Sequence, residues 1–207
     1  MHPPKRHPPV TAIAFDLGNV LIRVDQMRLV RYLAPYTQAD PQEILALTFA
    51  SSLKSAYDTG RLSTQEFYQQ LIDRLSCSLP YEKFCQYWTG IFSLEEGMEA
   101  VIDRLQERYP LLIVSNTDPL HLDYVRTKFR VLRHFKRYIL SYQLGCQKPE
   151  AGIYQALIAA LEQPPEQCLF IDDLWPNVAA ACQHGLQAWQ FFSAAELIEQ
   201  LASRGLW

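Results

Sequence analysis

Three apolar runs in this chain each stop at groups that can do chemistry. Ala12-Ile13-Ala14-Phe15 ends in Asp16, with Gly18 two positions on; Leu111-Leu112-Ile113-Val114 ends in Ser115-Asn116-Thr117; Cys168-Leu169-Phe170-Ile171 ends in Asp172-Asp173. Runs of this length read as buried strands of a parallel sheet, and the carboxyl ends of such strands are where α/β proteins bind ligands. Lys148 opens a helical stretch between the second and third runs. Two or three carboxylates converging on one sheet edge need a cation to balance them, and oxygen ligands of this kind suit Mg²⁺. A hydroxyl, backbone amides and a lysine around the same point suit a phosphoryl group. Gly18 is expected to let the backbone turn sharply near the ligand.

The elements that must position these groups follow from the pattern between them. Strands are expected at about Val10 to Phe15, Pro110 to Val114, Tyr138 to Tyr142, Cys168 to Ile171 and Ala188 to Phe192, with helices alternating between them to a terminal helix at Ala194 to Ala202. That alternation predicts an α/β fold with a doubly wound, Rossmann-like parallel sheet. Residues 21–92 break the rule. From Arg23 to Phe92 the periodicity is helical throughout, with capping signals at Asp40-Pro41-Gln42-Glu43 and Ser63-Thr64-Gln65-Glu66, a break at Asp58-Thr59-Gly60 and a new start at Pro80. Four helices are expected there, as an insertion into a core formed by residues 10–20 and 93–207. Tyr57, Phe67, Tyr81, Phe84, Tyr87 and Trp88 read mainly as the core of that small bundle. Ser93-Leu94-Glu95-Glu96 predicts a further helix start. Residues 1–9, with four prolines and no apolar period, read as a disordered lead-in.

Composition excludes several function classes. A net charge of −3 and no basic stripe interleaved with aromatics argue against nucleic acid. No apolar run approaches the ~20 residues that span a bilayer, and the N-terminal stretch lacks an export signal's apolar region. The five cysteines lack metal-finger spacing, and unpaired thiols suit a reducing cytoplasm.

Taken in order, the motifs resemble the haloacid dehalogenase superfamily over nearly the whole chain. Phe15-Asp16-Leu17-Gly18-Asn19-Val20 matches its first motif, Val114-Ser115-Asn116-Thr117 the second, Lys148-Pro149 the third, and Phe170-Ile171-Asp172-Asp173 with Asn177 the fourth. The helical insertion looks like the family's small type-1 cap, and the first motif is similar to that of the sugar-1-phosphate phosphatase branch. The resemblance implies a Mg²⁺-dependent phosphatase acting on a small phosphorylated metabolite, such as a sugar phosphate. Asp16 is then the nucleophile that forms an aspartyl-phosphate. Mg²⁺ is held by Asp16, the Gly18 carbonyl, Asp172 and Asp173; Ser115, the Asn116 amide and Lys148 bind the phosphoryl oxygens, and Lys148 also serves catalysis. Asn177 stands behind them.

One position departs from the family pattern. Its phosphatases usually carry a second aspartate, the general acid, where this chain has Gly18. Acid help of that kind is commonly worth about 10²–10⁴ in rate. Asp25 and Asp58 are the candidate substitutes in the inserted segment, and Arg23, Arg61, Tyr57 and Trp88 are candidate substrate contacts. The alternative is a binding module for a phosphorylated metabolite or a partner protein, with turnover lost. Dehalogenation is a third reading, disfavoured by Asp172-Asp173 and by the absence of a tyrosine at position 18. His121, His134 and His184 have no family counterpart and read as surface or interhelical residues.

Overall fold

The computed structural model describes residues 8–207, so the lead-in expected over residues 1–9 falls almost wholly outside the described residues. Five parallel strands form one sheet in the order β5-β4-β1-β6-β7. They are β1 (Ala12–Phe15), β4 (Leu111–Ser115), β5 (Phe135–Leu140), β6 (Cys168–Asp172) and β7 (Gln187–Gln190). The first strand is therefore central, with β4 and β6 as its direct neighbours. Asp16, Ser115 and Asp172 are brought together by that order alone.

The apolar runs are continuous because both faces of the sheet are covered. Ile13, Phe15, Leu111, Ile113, Leu169 and Ile171 point into one core cluster, which also takes in α6 (Met98–Leu105), α7 (Pro119–Lys128) and α11 (Ala194–Ser203). Ala12, Ala14, Leu112, Val114, Cys168 and Phe170 point to the other face, against α9 (Ala151–Ala160) and α10 (Trp175–Gln183). The period of two sorts alternate residues of one run into two cores. A four-residue α8 (Ser141–Leu144) follows β5 directly.

The segment after β1 departs from the sequence reading in three ways. A two-stranded antiparallel ribbon, β2 (Ile22–Val24) with β3 (Phe92–Leu94), closes the ends of the inserted segment; helical periodicity did not disclose it. Between those strands lie five helices rather than four: α1 (Gln26–Leu33), α2 (Pro41–Phe49), α3 (Ser52–Asp58), α4 (Thr64–Arg74) and α5 (Tyr81–Thr89). The stretch read as one helix divides because Ser51 is extended and its side chain accepts from the Lys54 amide, capping a new helix. Finally, Ser93-Leu94-Glu95-Glu96 is not a capping box. Ser93 and Leu94 pair in β3, and α6 starts after Gly97, whose φ of +83° ends the approach.

These five helices have their own apolar core. Tyr57, Phe67, Phe84 and Trp88 are fully buried and mutually packed, with Tyr57 stacked on Phe67 at 4.4 Å. In α1 the buried face is formed by Leu29, Val30 and Leu33, while Met27 is exposed. Gly60 joins the helices to the core, since a Cβ there would lie 2.2 Å from the Tyr142 carbonyl oxygen.

Candidate active site

Lys148 organises the edge of the sheet. Its ammonium lies 2.7 Å from Asp16 Oδ1 and 2.6 Å from Asp172 Oδ2, and donates to the Val114 carbonyl at 3.0 Å. The backbone on which it stands is clamped by Asn116: the Lys148 amide donates to Asn116 Oδ1 at 2.7 Å, and Asn116 Nδ2 donates to the Lys148 carbonyl at 2.9 Å. Asp172, fully buried, accepts at its other oxygen from the Leu174 amide and from Asn177 Nδ2, both at 2.9 Å. The Leu17 amide donates to Asp16 Oδ1 at 2.7 Å. Every charge in the group is thus paired and hydrogen-bonded, the condition under which buried charges are tolerated.

The electrostatics of this edge suit a cation. Burial pushes the Asp16 carboxyl up to about 7; Lys148 pulls the other way, but Asp172 and Asp173 add to the rise. Asp173 is raised too, by burial and then by Asp172. For Lys148, burial opposes the charge, yet the two carboxylates outweigh it and hold the ammonium above its ordinary range. One lysine does not neutralise three acids. Among the described residues, Asp16, Asp172 and Asp173 can each offer a ligand oxygen, all within 4.8 Å of one another, which fits a divalent ion with oxygen ligands.

The turn after β1 is made differently from the reading at Gly18. The left-handed residue is Asn19, with φ of +53°; its amide donates to the Ile22 carbonyl and its side chain accepts from Val24. Gly18 has ordinary φ, and a Cβ there would meet only Val24 Cγ2, at 3.8 Å. Ser115 is buried and its hydroxyl makes only a 3.5 Å contact with the Asn116 carbonyl. Ser141, at the end of the neighbouring strand, fixes the loop after β4: its hydroxyl accepts from the Thr117 amide at 3.0 Å and contacts the Thr117 carbonyl at 3.2 Å.

A cavity of about 150 Å³ opens from Gly18, Ser115 and Asn116 toward the helical segment, where Phe49 and Lys54 line it, with His121 of α7 beside them. A larger surface groove lies elsewhere, beside Arg126 and Tyr138, away from every group above. The proposed contacts Arg23, Arg61, Tyr57 and Trp88 do not line the cavity. Tyr57 and Trp88 belong to the helical core, Arg23 pairs with Glu95, and Arg61 donates to Thr59. Asp25 is occupied in capping α1 and pairing with Arg28 and Arg31.

Asp58 lies instead on Lys54, which also faces Asp118. Lys54 and Asp118 escaped the sequence reading. The signal available was a lysine and an acid four apart on one helix, and a helix-capping aspartate directly after the second motif. His121, which reads as surface or interhelical, is buried and stacked on Trp88 at 4.8 Å. His134 pairs with Asp103, and His184 stacks on Tyr154.

Comparison with known proteins agrees with this geometry. A family profile for haloacid dehalogenase-like hydrolases matches residues 10–185. The chain is 27% identical over 197 residues to D-ribitol-5-phosphate phosphatase of Bacteroides thetaiotaomicron, covering 91% of this chain and 95% of that protein. Among solved structures it is similar to a HAD-like family hydrolase from Porphyromonas gingivalis, with a TM-score of 0.80 at 27% identity over 95% of this chain and 98% of the other. It also shares the fold of a HAD family enzyme from Bacteroides thetaiotaomicron solved with magnesium and inorganic phosphate, at TM-score 0.78 and 21% identity over 89% and 95% of the two chains. Among the described residues no helix is long and apolar enough to cross a membrane.

Proposed function

The chain belongs to the haloacid dehalogenase-like hydrolase family, and from that premise we propose that it is a Mg²⁺-dependent phosphatase of a small phosphorylated sugar or sugar alcohol. The observation that carries the reading is the Lys148 ammonium held between Asp16 and Asp172, with Asp173 beside them and the Ser115 hydroxyl on the neighbouring strand end. The relatives support it: one is named for ribitol phosphate hydrolysis, and one was solved with magnesium and phosphate.

Asp16 attacks phosphorus. Its Oδ1 is fixed by the Leu17 amide and Lys148, and Oδ2 forms the new bond while the ester oxygen leaves, giving an aspartyl-phosphate that water then hydrolyses. Lys148, Ser115 and the Asn116 amide stabilise the charge on the phosphoryl oxygens. Asp172 serves mainly to hold Lys148, with one oxygen filled by two donors. Asp16, Asp173, the Gly18 carbonyl and the remaining face of Asp172 would hold Mg²⁺, which when bound neutralises the acidic edge and the charge developing on phosphate. The helices of residues 21–92 act as a cap that excludes water and contacts the leaving group.

Gly18, in the place of a general acid, is the one feature behind the binding-module alternative; the nucleophile, the lysine and the acids that would hold the ion are all assembled. The test is phosphate release from sugar, polyol and aryl phosphates, with Mg²⁺ and with a chelator, for the native chain and Asp16→Asn. Release that depends on the ion and disappears in the variant supports the mechanism. A variant rate within a few-fold of native would remove it.

A further inference from the structure

One set of buried charges has no part in that mechanism. On the far wall of the cavity the Lys54 ammonium pairs with Asp58 and lies 3.7 Å from Asp118 Oδ2. Asp118 is fully buried, caps α7 and accepts from Trp88 Nε1 at 3.2 Å, from the His121 amide at 2.9 Å and from His121 Nδ1 at 2.9 Å. The other ring nitrogen of His121 is 3.0 Å from the Trp88 carbonyl oxygen. Both ring nitrogens of His121 thus face acceptors, the Asp118 carboxylate and the Trp88 carbonyl. Burial opposes the charge on Asp118, but His121 and Lys54 outweigh it and hold the carboxyl below its ordinary range.

The cluster therefore gathers Lys54 and His121 against two carboxylates, Asp58 and Asp118. Of the four, Lys54 and His121 reach the cavity, and both nitrogens of His121 are already bonded. An ammonium has three donors; two carboxylates stand beside this one, which leaves a donor for whatever fills the cavity. The space, about 150 Å³, has room for a short chain. Its other walls include Val24, Phe49, Phe92 and Val125, which offer no side-chain hydrogen bonds.

We propose that Lys54, held by Asp58 and Asp118, is the leaving-group contact, and that it selects phosphate esters of neutral, hydroxylated alcohols over anionic or purely apolar ones. The inference rests on the phosphatase reading. A hydroxyl accepts the free ammonium donor. An apolar leaving group strands it, at the cost of an unmade hydrogen bond to a charged group. An anionic leaving group meets an ammonium already neutralised, with two carboxylates close behind.

Four esters decide it: a polyol phosphate, an alkyl phosphate without hydroxyls, a carboxylate-bearing alkyl phosphate and an aryl phosphate. In Lys54→Met the preference for the polyol over the plain alkyl ester falls about 10- to 100-fold, carried mainly by KM. Asp58→Asn keeps the shape and removes one negative charge, so the preference moves toward the carboxylate-bearing ester. That second variant decides the matter if Lys54→Met fails to fold. Ratios unchanged in both folded variants, or an equal loss on all four esters, overturn the assignment while leaving the phosphatase intact. If the native chain releases phosphate from none of them, the phosphatase reading goes and this subsite goes with it.

Discussion

Lys148 and Lys54 are each buried between two aspartates, and they differ in what fixes those aspartates. Asp16 and Asp172 end adjacent parallel strands, so the spacing that receives Lys148 is set by the sheet ladder. Asp58 belongs to α3 and Asp118 to the start of α7, so the second triad is complete only when the helical segment is seated on the core. The same arrangement of charges is rigid in one place and conditional in the other. A site for the bond that breaks belongs on the first kind of support, and a site that recognises the departing group can belong on the second.

The largest effect that tests this contrast is loss of the sheet-edge lysine. Lys148→Met should lower kcat/KM about 10³-fold on every ester, because it removes a preorganised charge aimed at the phosphoryl oxygens. A loss below tenfold would place the essential cation elsewhere. Asp118→Ala attacks the conditional triad. It removes a helix cap and strands Lys54 and His121, which should cost about 3–5 kcal/mol of stability in urea denaturation. A cost under about 1 kcal/mol would mean that the helices seat without that charge cluster.

The same contrast explains what the sequence discloses. Asp16, Ser115 and Asp172-Asp173 are legible because each stands where an apolar run stops, and a parallel sheet brings such ends together whatever else the chain does; Lys148 is legible by its place before a helix between two of those runs. Lys54 was hidden because its one local mark, an acid four residues on, is common on exposed helices: such a lysine usually reads as solvated, and its burial follows from how α3 meets α7. The β2–β3 ribbon was hidden by length, since three residues per strand carry too little period to compete with helical patterns on either side. The division of α2 from α3 hung on a single capping serine, Ser51. The role of Asn116 was half visible; its backbone was read for phosphate, while its side chain holds the lysine.

Gly18 sharpens the comparison from the side of chemistry. It stands on the cavity between the two triads, and a Cβ there meets nothing closer than Val24 Cγ2 at 3.8 Å. Gly18→Asp should therefore fold and raise the rate on plain alkyl phosphates by about tenfold or more, as a general acid does for a poor leaving group. The aryl ester, whose leaving group needs no proton, should gain least. Equal gains on both, measured as kcat, would show that the new carboxyl acts through charge or position instead.

The smallest effect separates the sheet-edge triad by its proton. The Asp16 carboxyl is pushed up to about 7 by burial and by its acidic neighbours, above its value in the unfolded chain. The folded protein without metal then holds that proton more tightly than the unfolded chain does, and its stability declines as pH rises toward 7. Mg²⁺ needs the carboxylate, so its binding strengthens over the same range. The rise in Tm caused by a fixed Mg²⁺ concentration should be several degrees larger near pH 8 than near pH 5.5, since about 2–4 °C corresponds to each kcal/mol in a chain of this size. Asp173→Asn should shrink the rise at both pH values. Lys54→Met should leave the pH dependence of the Mg²⁺ effect in place, because Lys54 stands on the far wall of the cavity and none of its carboxylate partners is among the acids that would hold the ion. A rise equal at the two pH values would mean that Asp16 does not exchange its proton for the ion, and the two lysine sites would then differ in position but not in the chemistry argued for them.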